Sequence, residues 1–98
     1  MQKTYDEKYI EKKLVEKVKA LGGRAYKFIS PGNAGVMDRL IVLPNNKIGF
    51  AETKRTKGGR ISKLQERQIA FLQSLGCIVG VVSTIQQIDG FLEKIQQQ

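Results

Sequence analysis

Apolar residues recur at three-to-four spacing between Tyr5 and Leu21, with lysines and glutamates between them. This spacing places the apolar side chains on one face of a helix, and Gly22 and Gly23 follow where a helix would end. The pattern predicts an amphipathic first helix over residues 5–21. Its apolar positions are Tyr9, Ile10, Leu14, Val18 and Leu21.

Three extended segments come next, Arg24–Ile29, Asp38–Leu43 and Lys47–Lys54. A loop of small residues, 30–35, separates the first two, and Pro44-Asn45-Asn46 separates the last two. Proline and asparagine suit a tight reversal between antiparallel partners. The segments therefore predict three strands, the last two of which form a hairpin.

The remainder of the chain predicts a helix, a strand and a final helix. Ser62 begins the first of these, which ends at Gly76, and Ser83 or Thr84 caps the last. Between them Ile78–Val82 is β-branched, which is typical of a strand buried on both faces and parallel to the strand before it. The helix that begins at Ser62 has an apolar face of Leu64, Phe71, Leu72 and Leu75. The last helix carries Ile85, Ile88, Leu92 and Ile95.

This order indicates an α/β fold, a mixed sheet flanked by helices. A chain of 98 residues can bury one modest core, so we expect one domain over residues 1–98. Cys77 is the only cysteine, and its apolar neighbours favour a buried strand position. No apolar run is long enough to cross a membrane, so we expect a cytoplasmic protein without membrane contact.

Lysine and arginine outnumber aspartate and glutamate by 17 to 9, giving a formal net charge of +8. An excess of this size on a small body attracts polyanions, and nucleic acid is the leading partner. The alternative is that lysines on helix surfaces only keep the protein in solution. Composition alone does not decide between these two interpretations.

Asp38 and Glu52 occupy strand positions beside apolar runs, where a charged side chain is unexpected unless it has a function. If the hairpin turn uses three residues, Leu43 opposes Lys47, and Asp38 then opposes Glu52 on the same face. A two-residue turn would put the two carboxylates on opposite faces. Adjacent carboxylates repel unless a cation lies between them, and oxygen ligands suit Mg²⁺ or Mn²⁺.

Lys54 follows Glu52 by two residues, so it projects from the same face of an extended strand. A metal held by carboxylates, with an ammonium beside it, provides what phosphodiester hydrolysis requires. The alternative is that Asp38, Glu52 and Lys54 are strand-end residues in water, since a Glu-x-Lys triplet alone is weak evidence.

Several motifs together resemble the virus-type replication-repair nuclease family, VRR-NUC, over nearly the whole chain. They are Ile10–Val15, Gly22–Phe28, Gly35–Leu40, Phe50–Lys54 and the later Gln65. The resemblance implies a restriction-endonuclease-like αβββαβ core with a C-terminal helix. The sequence departs from the family at Met37, where proline usually precedes the aspartate, which affects backbone rigidity rather than the ligands.

The resemblance also implies the site. Metal would be bound by Glu11, Asp38, Glu52 and the backbone carbonyl of Thr53, and catalysis would involve Glu11, Asp38, Glu52, Lys54 and Gln65. Two of these positions keep plain alternatives. Glu7 lies one turn before Glu11 on the same side of the helix, and Ser62-Lys63-Leu64-Gln65 also fits a capping box.

Six cations lie close in sequence to these positions and could bind phosphates, with Gly58 and Gly59 letting the loop adapt. They are Lys27, Arg39, Arg55, Lys57, Arg60 and Lys63. The alternative is a charged loop that is only solvated.

We therefore expect an endonuclease that hydrolyses DNA with Mg²⁺ or Mn²⁺ and needs no organic cofactor. Resemblance to stand-alone phage and bacterial members implies branched DNA such as Holliday junctions as substrate, and a homodimer. An alternative is a non-catalytic basic module that binds nucleic acid. A restriction-type enzyme is less favoured, because little chain remains to read bases.

Overall fold

The computed structural model describes residues 3–98 and has the predicted order of helix, three strands, helix, strand and helix. The α/β class predicted from the sequence is confirmed. The elements are α1 (Glu7–Ala20), β1 (Arg24–Lys27), β2 (Arg39–Leu43), β3 (Lys47–Thr53), α2 (Lys63–Ser74), β4 (Val79–Val82) and α3 (Ile85–Gln96).

The four strands form one mixed sheet in the order β1-β2-β3-β4. The first three are antiparallel, and β4 pairs parallel to β3, as the crossover through α2 predicted. Leu43 opposes Lys47, so the turn has three residues. Asn45 and Asn46 both have positive φ, 67° and 62°, which asparagine tolerates better than most residues.

The hydrophobic core lies between one face of the sheet, called the inner face here, and helices α1 and α3. Gly80 allows the closest approach, because a Cβ at this position would overlap the ring of Phe91 on α3. Thr84, rather than Ser83, caps α3 by accepting a hydrogen bond from the Gln87 N–H. The core residues are Ile10, Leu14, Val18, Ile41, Leu43, Ala51, Val82, Ile88, Phe91, Leu92 and Ile95.

Helix α2 lies on the opposite, outer face of the sheet. It has the predicted start at Ser62 and the predicted Gly76 stop, with a φ of +90°. Its predicted apolar face, however, is largely exposed at Leu64, Phe71 and Leu75, while Leu72 is half-buried, and the helix has no buried residue. Sequence periodicity identified which side chains share a face but not whether anything packs against that face.

Two further expectations are corrected. β4 is not buried on both faces, because only Val82 is buried and Val79–Val81 are half-buried. Cys77 is half-buried and precedes β4 rather than lying within it. The incomplete burial of β4 agrees with the partial cover that α2 gives to the outer face.

Element ends also differ from the predictions by one or two residues. Helix α1 begins after Asp6, whose side chain accepts a hydrogen bond from the Tyr9 N–H and so caps the helix. Strand β1 ends at Lys27, although the Phe28 N–H still donates to the Asp38 carbonyl at 2.8 Å. Within residues 3–98, no helix has the length and apolar character needed to span a bilayer.

Candidate active site

The β2–β3 hairpin brings Asp38 and Glu52 together. The ladder runs from Leu43 opposite Lys47 to Arg39 opposite Ala51, so the next pair outward is Asp38 and Glu52. The backbone N–H of Asp38 donates to Oε1 of Glu52 at 3.2 Å. The register predicted from a three-residue turn is therefore present, and with it the predicted carboxylate pair.

Thr53 holds the Asp38 carboxylate from the neighbouring strand. Its hydroxyl donates to Oδ2 of Asp38 at 2.8 Å, and its backbone N–H lies 3.4 Å from Oδ1. Thr53 is fully buried. Because the N–H and C=O of one strand residue point to the same side, its carbonyl also faces Asp38 rather than β4.

Glu52 is held by the two other polar residues that the sequence placed at the site. Its Oε2 is 3.2 Å from Nζ of Lys54 and accepts a hydrogen bond from Nε2 of Gln65 at 2.8 Å. Glu52 is 5% exposed. Lys54 therefore shares the face of Glu52, as the two-residue spacing predicted.

Gln65 takes part in a capping box and also contacts the candidate site. Its side-chain oxygen accepts from the Ser62 N–H at 3.0 Å, while Oγ of Ser62 accepts from the Gln65 N–H at 3.1 Å. This reciprocal pair is a capping box. The amide nitrogen remains free to donate to Glu52, so one side chain links the start of α2 to the carboxylate pair.

Burial and the charge of a neighbouring carboxylate raise the pKa of both Asp38 and Glu52 above the usual value. For Asp38 burial is the largest cause and the charge of Glu11 adds to it, while hydrogen bonds from Thr53 and the charge of Arg39 oppose it. For Glu52 burial is again first and the charge of Asp38 second. A cation between the two groups would relieve this cost.

Glu11 lies near the pair but bonds elsewhere. Its Oε2 is 3.0 Å from both Nε and Nη2 of Arg39, and Nη1 of Arg39 donates to the Ala25 carbonyl at 3.0 Å. Within residues 3–98, no three His, Cys, Asp or Glu side chains are grouped closely enough to hold a metal. Asp38 and Glu52 therefore lie close together, and Glu11 lies near them with its carboxylate bonded to Arg39.

Arg39, which the sequence predicts to bind phosphate, has a side chain that is 18% exposed and a guanidinium bonded to Glu11 and to the Ala25 carbonyl. The two candidate glutamates also differ: Glu7 is exposed, whereas the charge of Glu11 raises the pKa of Asp38. Of the two glutamates, Glu11 is the one beside the carboxylate pair.

The other five predicted phosphate-binding cations are exposed at the surface: Lys27, Arg55, Lys57, Arg60 and Lys63. Two of them, Arg55 and Arg60, line an open groove of about 740 Å³ together with Lys54 of the site. Gly58 and Gly59 also line this groove, as do the acidic residues Asp6 and Glu7 of the opposite side.

Two side chains at the candidate site were not predicted from the sequence. Lys8 lines the groove beside Lys54, and its position three residues before Glu11 on α1 could have indicated it. The hydroxyl of Thr53 was also missed, since only the backbone carbonyl of this residue was expected to contribute. A polar side chain on the inner, buried face of β3 was the available signal.

Known proteins resemble the chain in both structure and sequence. A solved structure described as "VRR_NUC domain" superposes with a TM-score of 0.82 and 31% identity, covering 89% of this chain and 94% of that one. "Putative nuclease p44" of Acyrthosiphon pisum secondary endosymbiont phage 1 is 52% identical over 67 residues, 68% of this chain and 71% of that protein. The chain belongs to the VRR-NUC family. No family model matches the sequence.

Membership in the VRR-NUC family identifies the chain as a nuclease domain and confirms the resemblance drawn from its motifs. Met37, at the one position that departs from the VRR-NUC pattern, is fully buried. Packing of this side chain therefore restrains the backbone before Asp38, where a proline would otherwise do so.

Proposed function

We propose that this VRR-NUC protein is an endonuclease that hydrolyses DNA phosphodiesters with a divalent cation, Mg²⁺ or Mn²⁺. The observation that carries the proposal is the pairing of Asp38 with Glu52 at the end of the hairpin, with Lys54 within 3.2 Å of Glu52. Opposed carboxylates beside an ammonium suit phosphodiester hydrolysis and have no evident structural purpose.

The donor set fits a hard divalent cation. Asp38 and Glu52 offer carboxylate oxygens, and Thr53 directs a carbonyl to the same side. All three donors are oxygens, as Mg²⁺ and Mn²⁺ prefer, and a cation held between the carboxylates would offset the repulsion by which Asp38 raises the pKa of Glu52. A bound ion would polarise the phosphodiester and lower the pKa of a nearby water.

Lys54 and Gln65 have different roles in the proposed reaction. The Lys54 ammonium stabilises negative charge as it develops on the phosphate and orients the attacking water. Gln65 keeps the Glu52 carboxylate in place through its 2.8 Å hydrogen bond and is fixed by the capping box. Gln65 is thus a positioning residue.

Glu11 is proposed as the third carboxylate ligand. Its charge raises the pKa of Asp38, so the two groups already interact. Arg39 neutralises Glu11 in the structure described here, and a divalent cation would compete with Arg39 for that carboxylate. Glu11 would then be the third carboxylate that holds the cation.

The proposed substrate is branched DNA, including the four-way junction. The exposed cations near the site offer contacts to phosphates, which give affinity without reading sequence. A homodimer would supply the two active sites that a four-way junction needs.

Cleavage of labelled linear duplex, flap and four-way-junction DNA with Mg²⁺, Mn²⁺ or a chelator tests the proposal. We expect metal-dependent cutting, with the junction cut fastest, and a loss of at least about 100-fold in Asp38→Asn and Lys54→Ala. Glu16→Gln is the matched control, since it also removes a carboxylate charge but lies on the exposed side of α1. Cutting that persists in chelator or in Asp38→Asn would contradict it.

The second candidate, a non-catalytic nucleic-acid-binding module, is favoured by one observation, the engagement of Glu11 with Arg39. That arrangement leaves two rather than three carboxylates in the cluster. The binding module requires that DNA binding survive chelation and Asp38→Ala with no cleavage of any substrate.

A further inference from the structure

A second open depression, of about 580 Å³, lies along helix α1 and is called the α1 depression here. It reaches the candidate active site, because Glu11 and Arg39 line it. Asp6 and Lys8 line both the α1 depression and the basic groove that contains Lys54. The two concave surfaces therefore adjoin at the start of α1, beside the carboxylate pair.

The acidic residues of the α1 depression are already engaged. Glu11 is paired with Arg39 at 3.0 Å, and Glu16 is paired with Lys13 at 3.3 Å. Asp6 caps the start of α1, where the positive end of the helix dipole offsets part of its charge. These carboxylates therefore leave the lysines that line the depression available to bind an anion.

Two lysines of the α1 depression, Lys8 and Lys12, form no salt bridge within residues 3–98. Both are exposed, and they lie on the same side of α1 because residues four apart in a helix are neighbours. One turn separates them, about 6 Å along the helix axis. This separation is comparable with that of successive phosphates in an extended nucleic-acid strand, so the two ammonium groups can contact adjacent phosphates.

The α1 depression also contains apolar surface. Tyr9 and Val15 are half-buried and line it together with the lysines. The Tyr9 ring stacks on that of Tyr5, with 4.3 Å between the ring centroids and 19° between the ring planes, which fixes its orientation. A ring that is already fixed loses little conformational entropy when a base packs against it. Aromatic surface beside cations is the combination that binds unpaired nucleotides.

We propose that the α1 depression is a subsite for unpaired nucleotides of the DNA strand that is cut, with Lys8 and Lys12 on adjacent phosphates and Tyr9 against a base. This proposal rests on the proposed function and adds to it the residues that determine which DNA is accepted. A strand in the subsite continues past Glu11 towards Lys54 and the basic groove. A duplex can present phosphates to the lysines, but its bases stay stacked on one another and do not reach Tyr9.

Binding of fluorescent oligonucleotides, measured by anisotropy in the presence of a chelator, tests the subsite without any cleavage. We expect Tyr9→Leu to weaken binding of single-stranded DNA about fivefold or more, the effect of losing one stacked base. Binding of a hairpin duplex should change less. In Lys12→Gln the salt slope of single-strand binding should fall by about 0.7 units, the effect of losing one phosphate contact.

Each substitution has a matched control in the same chain. Lys19→Gln removes the same charge from an exposed lysine two turns beyond Lys12 on α1, outside the depression. Tyr26→Leu removes an exposed tyrosine of β1, also outside the depression. Tyr9→Phe should bind single strands as wild type does, because it keeps the ring. Far-UV circular dichroism checks that every variant is folded.

Unchanged single-strand binding in both Tyr9→Leu and Lys12→Gln would overturn the proposal, as would an equal loss of salt slope in Lys19→Gln. A parallel assay of flap and linear duplex cleavage with Mg²⁺ separates this failure from failure of the proposed function. A wild-type protein that shows the expected binding but cuts no DNA would support the subsite and contradict the proposed reaction. A protein that cuts DNA but binds single strands equally well with either substitution would contradict the subsite alone.

Discussion

The amide of Gln65 donates to Glu52 at 2.8 Å, while the carbonyl oxygen of the same side chain caps α2. One residue thus fixes both a helix start and a buried carboxylate. These two contributions are separable, because a glutamate at this position retains an acceptor for the cap but offers no donor to Glu52.

We therefore expect Gln65→Glu to fold normally and to lose at least about tenfold in cleavage, since it places a third negative charge beside Glu52. Ser62→Ala should do the reverse, costing about 1 kcal/mol in the free energy of unfolding and leaving most activity. Denaturant unfolding and single-turnover cleavage of both variants check this. Equal activity in wild type and Gln65→Glu would show that the contact to Glu52 has no catalytic value.

The carboxylate pair should cost the fold stability at neutral pH. Unfolded carboxyls ionise near pH 4, whereas the pKa of Asp38 and of Glu52 is raised in the folded protein. Between these values the folded state holds more protons, so stability falls as the pH rises through this window. We expect Glu52→Gln to unfold at a higher temperature than wild type at pH 7, with the difference shrinking as the solution is acidified.

Mg²⁺ provides the complementary measurement for this prediction. It should raise the unfolding temperature of the wild-type protein at pH 7 and have little effect on Glu52→Gln, which lacks one carboxylate charge. The exposed Glu66→Gln, with an expected change within about 0.5 kcal/mol, serves as the control. A Glu52→Gln protein less stable than wild type at every pH would refute the assignment of a buried, repelling pair.

Thr53→Val tests the hydroxyl that holds Asp38. The substitution keeps the shape and the backbone carbonyl but removes the 2.8 Å hydrogen bond to Oδ2. Because that bond opposes the effect of burial, the pKa of Asp38 should rise further, and affinity for Mg²⁺ or Mn²⁺ should fall. Titration calorimetry should show this loss in Thr53→Val and near wild-type affinity in Thr53→Ser, which retains a hydroxyl.

Arg39 and Arg60 should respond differently to loss of charge. Arg39→Gln breaks a largely buried pair with Glu11 and should cost on the order of 2 kcal/mol in stability, while the salt dependence of DNA binding stays unchanged. Arg60→Gln should leave stability unaltered and reduce the salt slope by about one unit. A reduced slope in Arg39→Gln would instead place its guanidinium on a phosphate.

The strand register was predictable because the side chains of a strand alternate, so counting from a three-residue turn was enough to oppose Asp38 and Glu52. The environment of Arg39 was not predictable in the same way. Nearness in sequence to Asp38 indicated a cation at the site, but Glu11 on another element determines where its guanidinium bonds. The open face of α2 was missed for a related reason, since periodicity does not reveal a missing partner.

The hairpin turn at Pro44–Asn46 lies at the far end of the β2–β3 ladder from the carboxylates, yet its length sets which residues meet there. In related sequences, and in engineered versions of this one, substitutions of the turn residues should therefore be tolerated better than insertion or deletion of a single residue. Removing one of them would rotate Asp38 away from Glu52 without touching either residue.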